Sequence, residues 1–177
     1  MLIFGHIGLT IAIIYTFQRI RFPGLELDYR LVILGSLLPD IIDKPIGYII
    51  FQKYYENGWL YGHTLLFSLV LLILSYSAGT KYLVLGSSTL LHLIEDGVIV
   101  HMPRTFLWPL QGWDFSKNEE FTSRWIEHII SSLYTDQYIQ ITEIAGLIVI
   151  SYLMLRHQLY IKANLIAFIK AGRLIDK

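Results

Sequence analysis

His92 and Asp96 stand four residues apart in the stretch LLHLIEDGVIVH, residues 90–101. That spacing puts an imidazole and a carboxylate on one face of a helix, with Ser88 a turn below and Glu95 at the border of the same face. Their neighbours are apolar. An ionised side chain in the middle of a membrane helix costs ~2.5–3.5 kcal/mol, and such residues normally pair with one another or line a functional cavity. A divalent cation offsets that cost, and imidazole together with carboxylate oxygen suits zinc, manganese or iron. The chain has no cysteine, so thiolate zinc sites, iron–sulfur clusters and disulfides are excluded and any metal must be held by nitrogen and oxygen.

Four more candidates sit in three other apolar segments: His6, the pair Asp40 and Asp43, and His63. Each alone has a simpler reading. His6, between Gly5 and Gly8, would serve helix packing; Asp40 and Asp43 could cap the helix that follows or face water; His63, beside Trp59 and Tyr61, could mark a membrane interface. His101 lies at a membrane edge and His128 flanks a surface stripe, so neither is expected to ligate. Two ionisable side chains on one apolar helical face, His92 and Asp96, favour the metal reading over mere pairing.

The elements that would position these residues are membrane helices. The chain has 177 residues, 54% hydrophobic and 16% charged, against the ~25% charged residues of soluble domains, and its mean hydropathy is +0.52. Lysine plus arginine equals aspartate plus glutamate, so no basic excess exists to hold a nucleic-acid backbone. The expectation is an all-α, polytopic membrane protein forming a single domain over 1–177, with metal-site helices and an aromatic loop in 1–115 and an amphipathic helix, last span and basic C-terminal helix in 116–177.

About five membrane-embedded helices are expected. Residues 1–18 and 57–80 lack Asp, Glu, Lys and Arg and are long enough to cross; 82–100 and 138–155 fit two further spans, the last with Glu143 near one end. The run from Leu31 to Phe51 is interrupted by Pro39, Asp40, Asp43 and Pro45, so this helix is expected to enter the membrane and break at Pro39-Asp40, a break tolerated only where protein or a wet cavity surrounds it. Residues 118–134, with Phe121, Trp125, Ile129 and Leu133 at four-residue spacing and Glu120 four before Arg124, and residues 161–173, with Ile161, Leu165 and Phe168 among basic residues, are expected to be interfacial amphipathic helices. With the N-terminus outside, nine basic residues fall on inner segments and five on outer ones, in the sense of the positive-inside rule. His6, Asp40, Asp43, His63, His92 and Asp96 then all approach the outer face, and the C-terminus lies in the cytoplasm.

At these residues the sequence resembles the membrane-bound metal-dependent hydrolases, also described as LexA-binding, inner membrane-associated hydrolases. The matching pieces are His6, GSLLPDIIDKP at 35–45, GHTLLF at 62–67, HLIED at 92–96 and TFLWPLQGWDF at 105–115, together roughly the first two-thirds of the chain. That family is distantly similar to zinc-dependent phospholipases C and fungal zinc nucleases. The resemblance implies one metal site formed by Asp40, His63, His92 and Asp96, a second ion joined by His6 and bridged by Asp96, and Asp43 as either a ligand or the partner of one. The secreted enzymes supply a further His-x-x-x-Glu pair, which has no counterpart after Asp96.

The function expected is a metal-dependent hydrolase of the cell's inner membrane: a phosphoesterase with one or two divalent ions, zinc first and manganese or iron as alternatives, acting on a lipid head group or lipid-linked phosphate. Asp40 or Glu95 would take the proton of the attacking water, Arg104 would contact phosphate, and Trp108 and Trp113 would place the substrate at the interface. The alternative from another class is a metal-stabilised or ion-handling membrane protein without catalysis. A transporter would show paired broken helices in an inverted repeat, and only one broken segment is present.

Overall fold

The computed structural model describes residues 1–55, 57–115, 117 and 125–174, apart from the side chains of Trp125 and His128. Among the described residues ten helices run in order: α1 Ile3–Arg21, α2 Tyr29–Pro45, α3 Gln52–Tyr55, α4 Leu65–Ala78, α5 Leu83–Glu95, α6 Val98–His101, α7 Pro103–Phe106, α8 Trp125–Thr135, α9 Gln137–Arg156 and α10 Lys162–Ala171. A π-helical turn, Ile46–Ile50, extends α2, and a 3₁₀ turn, Thr80–Tyr82, precedes α5. Among the described residues there is no strand, as the apolar periodicity requires.

The polarity is inverted relative to a soluble domain. His6, Thr10, Ser36, His63, Ser68, Ser88, Thr89 and His92 are fully buried, whereas Ile73 on α4 and Ile141 on α9 are 66% and 67% exposed. Apolar side chains on the outside and polar ones within suit a chain whose solvent is lipid. Two helices, α1 and α9, are long and apolar enough to cross a membrane, while α4 has only 14 residues. Of the five membrane-embedded helices expected, two are candidate spans by length and composition among the described residues.

Helix contacts are made close by glycine, as in packing driven by van der Waals contact without a hydrophobic force. A Cβ on Gly8 would lie 2.3 Å from Cα of Gly146, so α1 and α9 touch backbone to backbone. Gly35 faces the Leu85 carbonyl, bringing α2 onto α5, and Gly86 faces the Leu72 backbone, bringing α4 onto α5. Helix α5 is thereby enclosed by α1, α2 and α4. An apolar cluster containing Ile11, Ile14, Tyr29, Val32, Val84 and Leu153 closes the half of the bundle away from His6, His63 and His92.

Three sequence expectations are corrected. Helix α2 does not break at Pro39-Asp40 but runs on to Pro45. Pro39 cannot donate to the Gly35 carbonyl four residues back, and the Thr89 hydroxyl, 3.0 Å from Leu85 O on its own helix, shares its proton with that carbonyl at 3.3 Å. The run 57–80 is not one span, because residues 57–64 form a loop and α4 starts only at Leu65, where the Thr64 hydroxyl caps it by accepting from Phe67 N–H. The third segment, 82–100, ends its helix at Glu95; Gly97, at φ +62°, turns the chain into α6.

The predicted surface helix appears in part as α8. Phe121 and the Glu120–Arg124 pair lie outside the described residues, and so does the side chain of Trp125. Helix α10 docks by its C-terminal end, where Arg30 Nη1 donates to the carbonyls of Ile169 and Lys170 and Tyr29 N–H donates to Gly172 O.

Candidate metal centre

Loop 57–64 is shaped by a carboxylate from α2. Asp43, fully buried, accepts from the backbone N–H groups of Leu60 (2.7 Å), Gly62 (2.9 Å) and His63 (3.1 Å), and from Nδ1 of His63 at 2.7 Å. Satisfying so many donors offsets the cost of burying the charge. It also fixes the imidazole: with Nδ1–H committed to Asp43, a neutral His63 presents the lone pair of Nε2. The Trp59 ring stacks on the same imidazole, 5.7 Å away at 19°.

His92 is fixed in the same way from another direction. Its Nδ1 lies 2.7 Å from the carbonyl oxygen of Ser36, which can only accept, so Nδ1 carries the proton and Nε2 again offers its lone pair. The two Nε2 atoms are 3.2 Å apart. Two lone pairs meeting at that distance repel unless a proton or a cation lies between them.

Two carboxylate oxygens complete the group. Asp96, capping the C-terminal end of α5, places Oδ2 at 3.5 Å from His92 Nε2 and 3.7 Å from His63 Nε2. Asp40 on α2 places Oδ1 at 3.6 Å from His63 Nε2 and 3.9 Å from His92 Nε2, and that buried oxygen has no hydrogen-bond partner. Each carboxylate uses its other oxygen outward: Asp40 Oδ2 accepts from Lys44 Nζ at 2.5 Å, and Asp96 Oδ1 lies 3.1 Å from His6 Nε2 and 2.7 Å from the nitrogen of Met1.

Asp40, His63, His92 and Asp96 thus form a group that could hold a metal ion. A tetrahedral centre with bonds of ~2.0–2.1 Å has donor–donor edges of about 3.3–3.4 Å. The five edges measured here run from 3.2 to 3.9 Å. The donor set of two imidazoles and two carboxylates, the orphaned Asp40 oxygen and the facing lone pairs all fit a divalent ion, and Asp43 and Ser36 supply the outer-shell bonds that orient histidine ligands.

The remaining sequence candidates fall elsewhere. Asp43 lies behind His63 as its hydrogen-bond partner, both oxygens engaged with N–H groups. His6 stacks on His92, with ring centroids 4.0 Å apart, and its Nε2 lies 3.1 Å from the outer oxygen of Asp96. Glu95, expected as a possible proton acceptor, gives Oε2 to His6 Nδ1 and Oε1 to the Thr10 hydroxyl, each at 2.9 Å. Arg104 is on α7 against the Gly112 backbone, 3.9 Å from Asp114, and no described contact joins it to the group. His101 is exposed on α6, and the side chain of His128 lies outside the described residues.

Two functional neighbours carried weak sequence signals. Lys44 stands one turn after Asp40, a spacing that announces an i,i+4 ion pair. Glu143 is the lone acid in the apolar run of α9; its carboxylate accepts from the N–H groups of Leu2, Phe4 and Gly5 at 2.9–3.0 Å and so caps the start of α1 beside His6. The aromatic loop packs next to the site through Tyr61, whose ring meets Trp108 edge-on at 5.4 Å and Phe115 at 4.8 Å.

The model of a protein family described as YdjM inner membrane protein matches residues 1–165, most of the chain, and the chain therefore belongs to that family. No curated protein and no solved structure matches it. Family membership and the two long apolar helices together make this an inner-membrane protein.

Proposed function

We propose that this member of the YdjM inner membrane protein family is a metal-dependent phosphoesterase that acts on a lipid head group or a lipid-linked phosphate. The observation that carries the reading is the meeting of His63 and His92, Nε2 to Nε2 at 3.2 Å, between two carboxylate oxygens. Zinc is the ion the four donors suit best, with manganese or iron as alternatives. A bound divalent ion would supply a water of lowered pKa, toward ~7, and would polarise a phosphoryl oxygen.

The chain's own residues then divide the work. Asp43 and the Ser36 carbonyl hold the two imidazoles in the ligating tautomer. Asp40 has the most accessible carboxylate of the group, its side chain 12% exposed against 4% for Asp96 and none for the histidines; with Oδ1 kept toward the ion, its Oδ2 would take the proton of the attacking water in exchange for its ion pair with Lys44. Lys44, 27% exposed and paired to Asp40, is the cation placed to meet a phosphate at that opening, the role first expected of Arg104. Glu95 holds His6, and His6 steadies the outer oxygen of Asp96. Trp108, Trp113 and Tyr61, packed edge to face, would offer an apolar surface two residues along the chain from His63 for the lipid portion of a substrate. The N-terminus and the metal site are placed on the outer side by the positive-inside reading.

A second reading rests on one specific feature. Four protein donors close a tetrahedron by themselves, the arrangement of structural zinc sites, whereas catalytic sites keep a position open. On that reading the ion pins α2, loop 57–64 and α5 together without catalysis.

The discriminating experiment uses the purified, zinc-loaded protein in detergent or liposomes with a panel of phospholipids and lipid-linked phosphates. Phosphoester cleavage that disappears in His92→Ala and falls in Lys44→Gln supports the enzyme. Stoichiometric metal with no cleavage across the panel, combined with loss of thermal stability on chelation, supports the structural ion.

A further inference from the structure

The end of the bundle remote from His63 and His92 carries two hollows that share a wall. The larger is an apolar groove of about 610 Å³ between α1 and α5, lined by Ile13, Phe17, Leu83, Ser87 and Leu91 among others. The smaller, about 300 Å³, is lined by Arg30, Lys81, Lys170 and Arg173, with Glu26 and Asp28. Leu27 lines both. Across the 3₁₀ turn and the start of α5 they interleave: Thr80 and Leu83 line the groove, while Lys81 and Tyr82 line the basic hollow.

Charge in the basic hollow is unbalanced. Arg30 is paired with Asp28 at 2.6 Å and Arg173 with Glu26 at 2.6 Å. Lys81 lies over the Tyr82 ring and Lys170 has no carboxylate partner among the described residues, so two positive charges remain. The groove has the dimensions of a tail site. From Thr80 to Leu91 is eleven residues, about 16 Å at the rise of a helix, which is roughly half of the ~30 Å hydrocarbon thickness. An apolar slot about one leaflet long, with two uncompensated lysines in the hollow on the other side of Leu27, matches one acyl chain and an anionic head group beside it.

We infer that the α1–α5 groove and the basic hollow beside it form a binding site for an anionic phospholipid of the inner leaflet. The head group lies between Lys81 and Lys170, with Arg30 and Arg173 at its border, and one acyl chain lies along Ser87 and Leu91 toward the membrane centre. The site is independent of the metal group at the other end of the bundle. Basic pockets between helices on the cytoplasmic side are where such lipids are held, and the same end carries the basic helix α10, whose docking through Arg30 the bound head group reinforces.

The test is native mass spectrometry of the detergent-purified full chain exchanged into mixtures of phosphatidylglycerol and phosphatidylcholine of equal chain length. The wild-type chain retains phosphatidylglycerol with a preference on the order of tenfold or more. The double variant Lys81→Gln, Lys170→Gln retains both lipids equally and weakly. Ser87→Trp, which fills the groove, retains neither. Zinc content and thermal midpoint, measured alongside, verify that each variant is folded. Equal retention of the two lipids by the wild-type chain, or a preference unchanged in the folded lysine variant, overturns the inference, as does undiminished retention by Ser87→Trp.

Discussion

His63 and His92 face each other Nε2 to Nε2 across 3.2 Å, although 29 positions of sequence and the whole of α4 separate them. Neither imidazole chose that direction for itself. Asp43 turns the first and the Ser36 carbonyl turns the second, both from α2, so one helix aims two histidines borne on other elements.

Asp43 is therefore predicted to matter to metal without touching it. Asp43→Asn keeps the shape but replaces a carboxylate that accepts from four N–H groups, and it frees His63 to rotate. Metal affinity should weaken by about 10–100-fold, the usual cost of losing the partner of a histidine ligand. Isothermal titration with zinc measures it. An affinity equal to wild type would show that the imidazole is oriented by something else.

Glu143 reaches the site from farther away. Glu143→Ala leaves the N–H groups of Leu2, Phe4 and Gly5 without their acceptor and should destabilise the protein by about 1–3 kcal/mol. The first turn of α1 carries His6, so hydrogen exchange of residues 3–7 should quicken more than that of α5. Uniform exchange across the two helices would contradict this capping role.

Gly146→Ala tests the α1–α9 contact. The added Cβ would stand 2.0 Å from the Phe4 carbonyl oxygen, where the helix backbone cannot give way, and overpacking of this kind costs about 1–3 kcal/mol. Thermal unfolding in detergent should show the loss. Alanine at the open position Gly24, which has nothing within 4 Å, should leave the midpoint where it is.

At the opposite end, acid should loosen α10. The Arg30 guanidinium beside Asp28 holds its carboxyl below the usual carboxylate range, with the backbone N–H groups of α2 adding to the effect and burial opposing it. Because the folded value lies below the unfolded one, the stabilisation is complete above the unfolded value of about 4 and is lost as pH falls through the folded one. Asp28→Asn still caps the helix but cannot titrate. The gap in thermal midpoint between wild type and Asp28→Asn should thus be constant from pH 8 to pH 5 and shrink below about pH 4. A gap that widens on acidification would reverse the assigned sign.

Much of this site was legible in the sequence because its chemistry is local. His92 and Asp96 share a face by helix periodicity alone, and acids and imidazoles in apolar runs announce themselves by cost. What was not legible depends on partners far along the chain. Pro39 reads as a break by every local rule, yet Thr89 repairs the carbonyl it abandons. The uncharged run 57–80 reads as a span, yet Asp43 draws its first third into a loop by accepting backbone donors 17 to 20 residues away. Glu95 looked like a free base beside the cluster because nothing local reveals that His6 and Thr10 occupy its two oxygens. Helix length was no more legible: α4, 14 residues long, packs against α5 where Gly86 meets the Leu72 backbone, a tertiary fact without a composition signature.

The most direct test is zinc X-ray absorption on the purified chain, with metal quantified per protein. The account predicts one tightly bound ion whose inner shell is nitrogen and oxygen at ~2.0–2.1 Å, with the multiple-scattering signature of two imidazoles. That signature should fall to one imidazole in His92→Ala and should be lost with falling pH as protons displace the ion. A chain that binds no zinc, manganese or iron above background, or binds it with a shell unaltered by His92→Ala and Asp96→Ala, would contradict the metal centre at His63 and His92.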